Sequence, residues 1–394
     1  MMRPWGGRGH KLDRLAGAVL TATALGGLGS CTGEPTTTPV ESPAPRVILA
    51  GGDGRAGGYE AVAGWWKPAA DHDDTWTWGE VSGVAVDTPD RIIVAVWGDR
   101  SADGRERDGS SNYLVVVDRD GHVVETWSQW DSTFNKPHQV YISPYDPDRH
   151  VWVVERGGGR GVHMQVMKFT NDGSELVMRL GEPDHPTSLE EARANPNPGP
   201  YTYGEPAVLA FLPDGSFLLG DGYWNTRIVK YDADGEYVME WGEAGSGPGQ
   251  FDLVHGLAVD HERRVYVADR RNNRIQVFTE DGTFLDEWPD ITDPVGIFID
   301  ELHAVWVISA SLHRVLKYTL DGELQHTWGA YGGPGGLPGG LFRPHQIDVD
   351  QEGSVYVASW SGGWLNKFVP KPDADPSHLM RTGLVLATDG PTQR

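Results

Sequence analysis

The chain has 394 residues, a formal net charge of −23 and one cysteine, Cys31. The length accommodates one large folded unit, and the acidic balance argues against nucleic acid or an anionic surface as a partner. With a single cysteine there is no internal disulfide and no cysteine-based metal site.

Arg3, Arg8, Lys11 and Arg14 precede an apolar run from Leu15 to Leu28, too short to span a bilayer permanently. The run closes on Leu28-Gly29-Ser30-Cys31, so residues 1–30 read as the signal peptide of an exported protein. The closing tetrad resembles the bacterial lipobox, which implies a lipid on Cys31 and an anchor in the cell envelope; an incidental cysteine is the competing reading. Residues 31–55 are rich in Thr, Pro and Gly, cannot pack a core and read as a tether. Residues 56–378 read as the folded body and 379–394 as a C-terminal tail.

The body consists of copies of one meander: four short β-branched and apolar runs separated by turn residues. The first copy holds Gly83–Asp87, Ile92–Val96, Tyr113–Val117 and Val123–Trp127, with a polar insertion between its second and third runs. The second holds His138–Ser143, Val151–Glu155, Met164–Phe169 and Glu175–Leu180. A Pro- and Asn-rich segment, Gly181–Gly204, precedes the third: Pro206–Leu212, Phe217–Gly220, Arg227–Tyr231 and Tyr237–Trp241. The fourth is the clearest, with Leu253–Val259, Arg264–Ala268, Arg274–Thr279 and Phe284–Trp288; its Asp281-Gly282 pair suits a two-residue hairpin. The fifth holds Val295–Asp300, Ala304–Ile308, Arg314–Tyr318 and Leu324–Trp328. The sixth has Pro344–Val349, Ser354–Ala358 and Trp364–Val369 but no fourth run. An orphan run upstream, Tyr59–Trp65, has the style of Tyr237–Trp241 and would complete it. Several of the 16 tryptophans recur at one repeat position and read as packing residues. A meander cannot bury both faces alone, so the copies must stack. The expectation is an all-β fold, a six-bladed β-propeller of four-stranded blades closed by an N-terminal outer strand. The segments Asn225–Tyr231 and Asn272–Phe278 (Asn-x-Arg-Ile-x-x-Tyr/Phe) resemble the NHL repeat, which implies the same architecture.

Chemistry must come from positions where the copies differ. The aligned residues at the start of each first strand are Ser82, His138, Ala207, His255, Val295 and His345. Histidine occupies alternate copies, a third of a turn apart in a closed ring of six. Three imidazoles converging on a channel axis suit a divalent ion, zinc above all, with a fourth position open. His150, His163, His261, His303 and His313 follow no such rule. The residues after each second strand should share the histidine face: Asp99-Arg100, Glu155-Arg156, Asp221-Gly222-Tyr223-Trp224, Asp269-Arg270, Ser309-Ala310 and Ser359-Trp360. There an arginine can grip a carboxylate and a phenol can act as a base. Arg156 fits an inter-blade tie as well as a functional role, while Arg227 and Arg274 belong to the repeat and read as structural.

The stretches Asp221–Tyr231, Val254-His255 and Ala268-Asp269-Arg270 resemble the peptidyl-α-hydroxyglycine α-amidating lyase family. That resemblance implies zinc on His138, His255 and His345, Tyr223 as base and Arg270 as a substrate ligand. It also implies a second arginine after the second strand of the first blade, for which Arg100 is chosen, with Arg105 and Arg107 left open. Gln346 stands where the family carries an Asp tied to a structural calcium, a departure that argues against calcium. The family's disulfides cannot form, and no copper-monooxygenase partner is present in the chain. The function expected is an exported, zinc-dependent carbon–nitrogen lyase acting on a small molecule or a peptide C-terminus, as a monomer. The alternatives are a metallo-propeller hydrolase with another small substrate, a metal-binding scaffold without turnover, and a non-catalytic propeller lipoprotein that binds a protein or glycan.

Overall fold

The computed structural model describes residues 57–73, 75–101, 111–157, 163–183, 186, 188–195, 198–333 and 340–383. The expected signal peptide, Cys31, the tether, Arg105, Arg107 and residues 384–394 of the expected tail lie outside them. The described chain is a six-bladed β-propeller, each blade an antiparallel sheet of four strands. The innermost strands are Val81–Thr88, Pro137–Ile142, Val208–Phe211, Val254–Val259, Pro294–Ile299 and Pro344–Val349. The sixth blade has strands Pro344–Val349, Val355–Ser359 and Trp364–Pro370, and Tyr59–Ala61 pairs on its outside, Tyr59 opposite Pro370. The ring therefore closes by the N-terminal strand, as the sequence implied, and no blade edge stays open at the seam.

Apolar residues collect into six clusters, each between two neighbouring blades; Tyr59, Trp306, Trp328 and Phe368, for instance, fill the space between blades five and six. The recurrent tryptophan at the end of a fourth strand belongs to this packing. Gly282 and Gly322 lie flat on Trp241 and Trp288 of the preceding blades, where an added Cβ would come within 2.7 Å and 2.6 Å of the indoles. Their φ values of 77° and 80° suit glycine as well. This explains why Asp-Gly recurs, and it corrects the two-residue hairpin expected at Asp281-Gly282. The Gly282 amide donates to Thr279 O at 3.0 Å, closing a turn that ends in a left-handed glycine, so the strands meet one residue further out. The described part of the expected tail packs back on the ring: the Met380 amide donates to the Tyr59 hydroxyl at 2.6 Å.

In five of the six innermost strands the pairing register shifts at the same aligned place, between Val81 and Gly83, Pro137 and Gln139, Val254 and Gly256, Pro294 and Gly296, and Pro344 and Gln346. The extra residue of each bulge is the aligned position read from the sequence. A bulge re-aims the side chain it carries, and here it presents that side chain to the channel.

Candidate metal centre

His138, His255 and His345 come together on the axis, with ring centroids 4.9, 4.7 and 5.0 Å apart. Their ligand nitrogens lie within 4.8 Å of one another, a grouping that could hold an ion. Each ring is tethered in the same way. Nδ1–H of His138 donates to Ala207 O at 2.6 Å, that of His255 to Val295 O at 2.7 Å, and that of His345 to Ser82 O at 2.6 Å. The acceptors are the aligned residues of the next blade, so the three blades without histidine hold the imidazoles of the other three. The tether fixes the tautomer, leaving Nε2 as an inward lone pair on every ring.

All three rings are almost wholly buried. Burial is the main influence pulling their pKa values down, to about 4 for His345; Arg270 lowers all three further, and Arg156 those of His138 and His345. Three neutral imidazoles with converging lone pairs form a donor set that fits a divalent ion with one position open. The Tyr223 hydroxyl lies 2.8 Å from His255 Nε2 and 3.1 Å from His138 Nε2. It has one proton and so can serve only one of these acceptors. That shortage of donors is a second sign that the centre is built for a cation.

Tyr223 reaches this place because of the residue before it. A Cβ on Gly222 would overlap the carbonyl of Val254 in the next blade, so only glycine fits there. The chain then turns and Tyr223 follows as an additional residue. The Arg156 guanidinium lies 3.9 Å from the centroid of the Tyr223 ring, a stacking contact of the cation–π kind. Arg156 in turn donates to Glu205 of the next blade, with Nε to Oε2 at 2.9 Å. Arg270 makes the matching bond to Asp293 at 2.6 Å. Burial pushes the Tyr223 phenol up while the charges of Arg156 and Arg270 pull it down.

The carboxylates ending the second strands have structural duties. Asp221 and Asp269 bond Arg227 and Arg274 at 3.1 and 2.8 Å, and Glu155 accepts from the amides of Asn135 and Lys136 at 3.1 and 3.0 Å. Arg227 and Arg274 are thus structural, as the repeat suggested.

Arg100 stands three residues beyond the place that Arg156 and Arg270 occupy in their blades. The second strand of the first blade is Arg91–Val96, with Val96 opposite Val81, and the Trp97 amide donates to Glu80 O at 2.9 Å. The same bond runs from Arg156 to Lys136 O and from Arg270 to Leu253 O. Trp97 therefore occupies the place of Arg156 and Arg270. Arg100 lies in a short strand, Asp99–Ser101, opposite Thr77, and its charge acts on Glu80. Gln346, next to the third histidine, supplies no carboxylate. Its Oε1 accepts from the Val84 and Val140 amides at 3.1 and 3.3 Å, and its Nε2 donates to Val140 O at 2.8 Å. This neutral amide is already satisfied by backbone, so the position does not fit a calcium site.

Sequence reasoning passed over Glu80, Glu205 and Asp293. They stand two residues before the aligned position, just ahead of their blades' first strands, and alignment of the copies at that offset would have shown them facing the arginines.

Comparison with known proteins gives a consistent result. The NHL repeat family matches residues 251–278. NHL repeat-containing protein 3 of Homo sapiens is 28% identical over 332 residues, covering 81% of this chain and 86% of its own length. Peptidylglycine alpha-amidating monooxygenase of Rattus norvegicus is 31% identical over 223 residues, covering 52% of this chain but only 21% of that protein. Peptidyl-alpha-hydroxyglycine alpha-amidating lyase 1 of Drosophila melanogaster is 26% identical over 342 residues, 76% of this chain and 59% of that one. The chain is a six-bladed β-propeller carrying an NHL repeat, and it is similar in sequence to the peptidyl-α-hydroxyglycine α-amidating lyases.

Proposed function

We propose that the protein is a metal-dependent lyase that splits a peptidyl-α-hydroxyglycine or a small analogue into an amide and glyoxylate. The observation that carries this reading is the Tyr223 hydroxyl, placed between two Nε2 atoms of a convergent histidine triad and flanked by Arg156 and Arg270. Zinc on the triad, when bound, supplies a Lewis acid that polarises substrate oxygens.

The chain's own residues supply the rest. Arg270, held at one nitrogen by Asp293, has other N–H groups with which to grip the substrate carboxylate and orient the carbinol carbon. Tyr223, as the phenolate that the charges of Arg156 and Arg270 and a bound cation would favour, takes the proton of the carbinol hydroxyl and returns it to the leaving nitrogen. The O–H electron pair becomes the new carbonyl bond, the C–N bond breaks, and the nitrogen leaves as an amide after gaining a proton. Arg156 keeps the Tyr223 ring in place.

The experiment is to incubate the zinc-loaded protein with α-hydroxyhippurate and measure glyoxylate. Release that depends on both the metal and Tyr223 supports the reading. Stoichiometric zinc with no glyoxylate would remove the lyase while leaving the metal centre.

We also propose that the chain is exported and tethered through a lipid on Cys31. A Cys31→Ser variant should appear in the soluble fraction, and membrane fractionation unchanged by that substitution would refute the anchor.

A further inference from the structure

The channel does not end at the histidines. Beyond them, away from Tyr223, the innermost strands of all six blades line a cavity of about 310 Å³ that reaches from His345 to a rim formed by Arg149, Gln351 and Thr382. The histidine end is narrow: a Cβ on Gly256 would lie 3.0 Å from the Gly296 Cα, and Gln346 bridges the first two blades. The cavity has the size of a small-molecule site.

Its wall is uneven. Blades three to five contribute apolar surface, among it Val208, Ala210, Leu257, Ile297 and Phe298. Blades six, one and two carry the polar groups. Among the described residues of the lining, Asp348 is the only carboxylate and Arg149 the only guanidinium. Arg149 is bonded to the Asp87 carboxylate, so its charge is balanced outside the cavity. Asp348 accepts from the amides of Val86 at 2.7 Å and Val349 at 2.8 Å and has no side-chain donor. Each carboxylate oxygen keeps a second lone pair. Burial pushes the Asp348 carboxyl up to about 6, while the amides of Val86 and Val349 and the charge of Arg149 pull it down.

A lone carboxylate facing an apolar wall across a small cavity is complementary to one kind of occupant. We propose that the lower channel binds a small organic amine, its ammonium against Asp348 and its apolar body against blades three to five. A hard metal ion fits less well, because among the described residues no second carboxylate lines the cavity. The site lies at the opposite end of the channel from Tyr223 and does not depend on the lyase reading.

The test is calorimetric titration of the full chain with benzylamine, using benzyl alcohol as the uncharged match. Saturable one-to-one binding is expected, at least about tenfold tighter for the amine. Asp348→Asn should weaken it by about tenfold or more. Because Asp348 also ties blade six to blade one, a second variant from the opposite wall is needed, and Ala210→Phe should abolish binding by filling the cavity. Tyr223→Phe should leave amine affinity unchanged. Absence of saturation, equal affinity for benzyl alcohol, or binding that persists in Ala210→Phe would overturn the site. So would loss of binding in Tyr223→Phe, which would place the amine at the other end of the channel.

Discussion

Each triad histidine depends on two unlike neighbours: a backbone carbonyl that fixes its tautomer and the imidazoles it faces. Replacing His138, His255 or His345 by Ala removes a ligand, a larger loss than that of an outer partner, and zinc affinity should fall by more than ~100-fold. His313→Ala should leave it unchanged, and metal content after dialysis reads both. Tyr223→Phe removes only a hydroxyl, so fold and zinc should persist while turnover falls ~100-fold or more. Arg270→Ala should chiefly raise KM for a carboxylate substrate, since its remaining donors grip rather than react. These residues were legible from sequence because the strand pattern allowed the copies to be aligned. Arg100 is not the aligned counterpart of Arg270, because the end of a strand is set by its pairing partner, Val81 opposite Val96, yet its charge acts on Glu80, the counterpart of Asp293. The stacking of Arg156 on Tyr223 crosses between blades, and no local signal records such a contact.

The seam between blades five and six tests how the ring closes. Tyr59 is wholly buried there beside Trp328, and Tyr59→Ala should cost about 3–5 kcal/mol by loss of core volume. A chain beginning near Pro68 lacks the whole closing strand and should melt far lower; equal melting temperatures would disprove closure. The sequence pointed to this strand because the sixth copy lacked one and Tyr59–Trp65 matched its style. Close by, His326 is buried and stacked on His378, with centroids 3.9 Å apart and neither His326 nitrogen hydrogen-bonded. Burial, with the charges of His378 and Lys317, pulls its pKa down to about 4. An unfolded histidine titrates near ~6.5, so the unfolded chain binds more protons across that interval. Stability from His326 is therefore present above ~6.5 and lost as pH falls towards about 4. His326→Leu should raise the melting temperature and flatten the acid limb of the stability curve between those values.

Across the whole molecule, side chains of the sixth blade hold the inner edge of the first. Gln346 and Asp348 accept from the amides of Val84 and Val86, joining the blades nearest the chain ends at the axis as Tyr59 joins them at the rim. A neutral amide does this work beside the metal centre, so the fold should not respond to calcium. A cation held at a hundred times its Kd would add ~2.7 kcal/mol, and a melting temperature of the zinc-loaded protein that rises on adding calcium would show that one is bound. The carbonyl tethers carry a further consequence. Imidazole and acceptor take turns around the ring, and such a pattern can close on itself only when the number of members is even. A seven-membered relative would have to break the alternation somewhere, setting two like members side by side. Four members would supply two ligands and eight would supply four, whereas six supply three and leave one corner of a tetrahedron open to a guest. The arithmetic of the ring thus constrains which chemistry its axis can host.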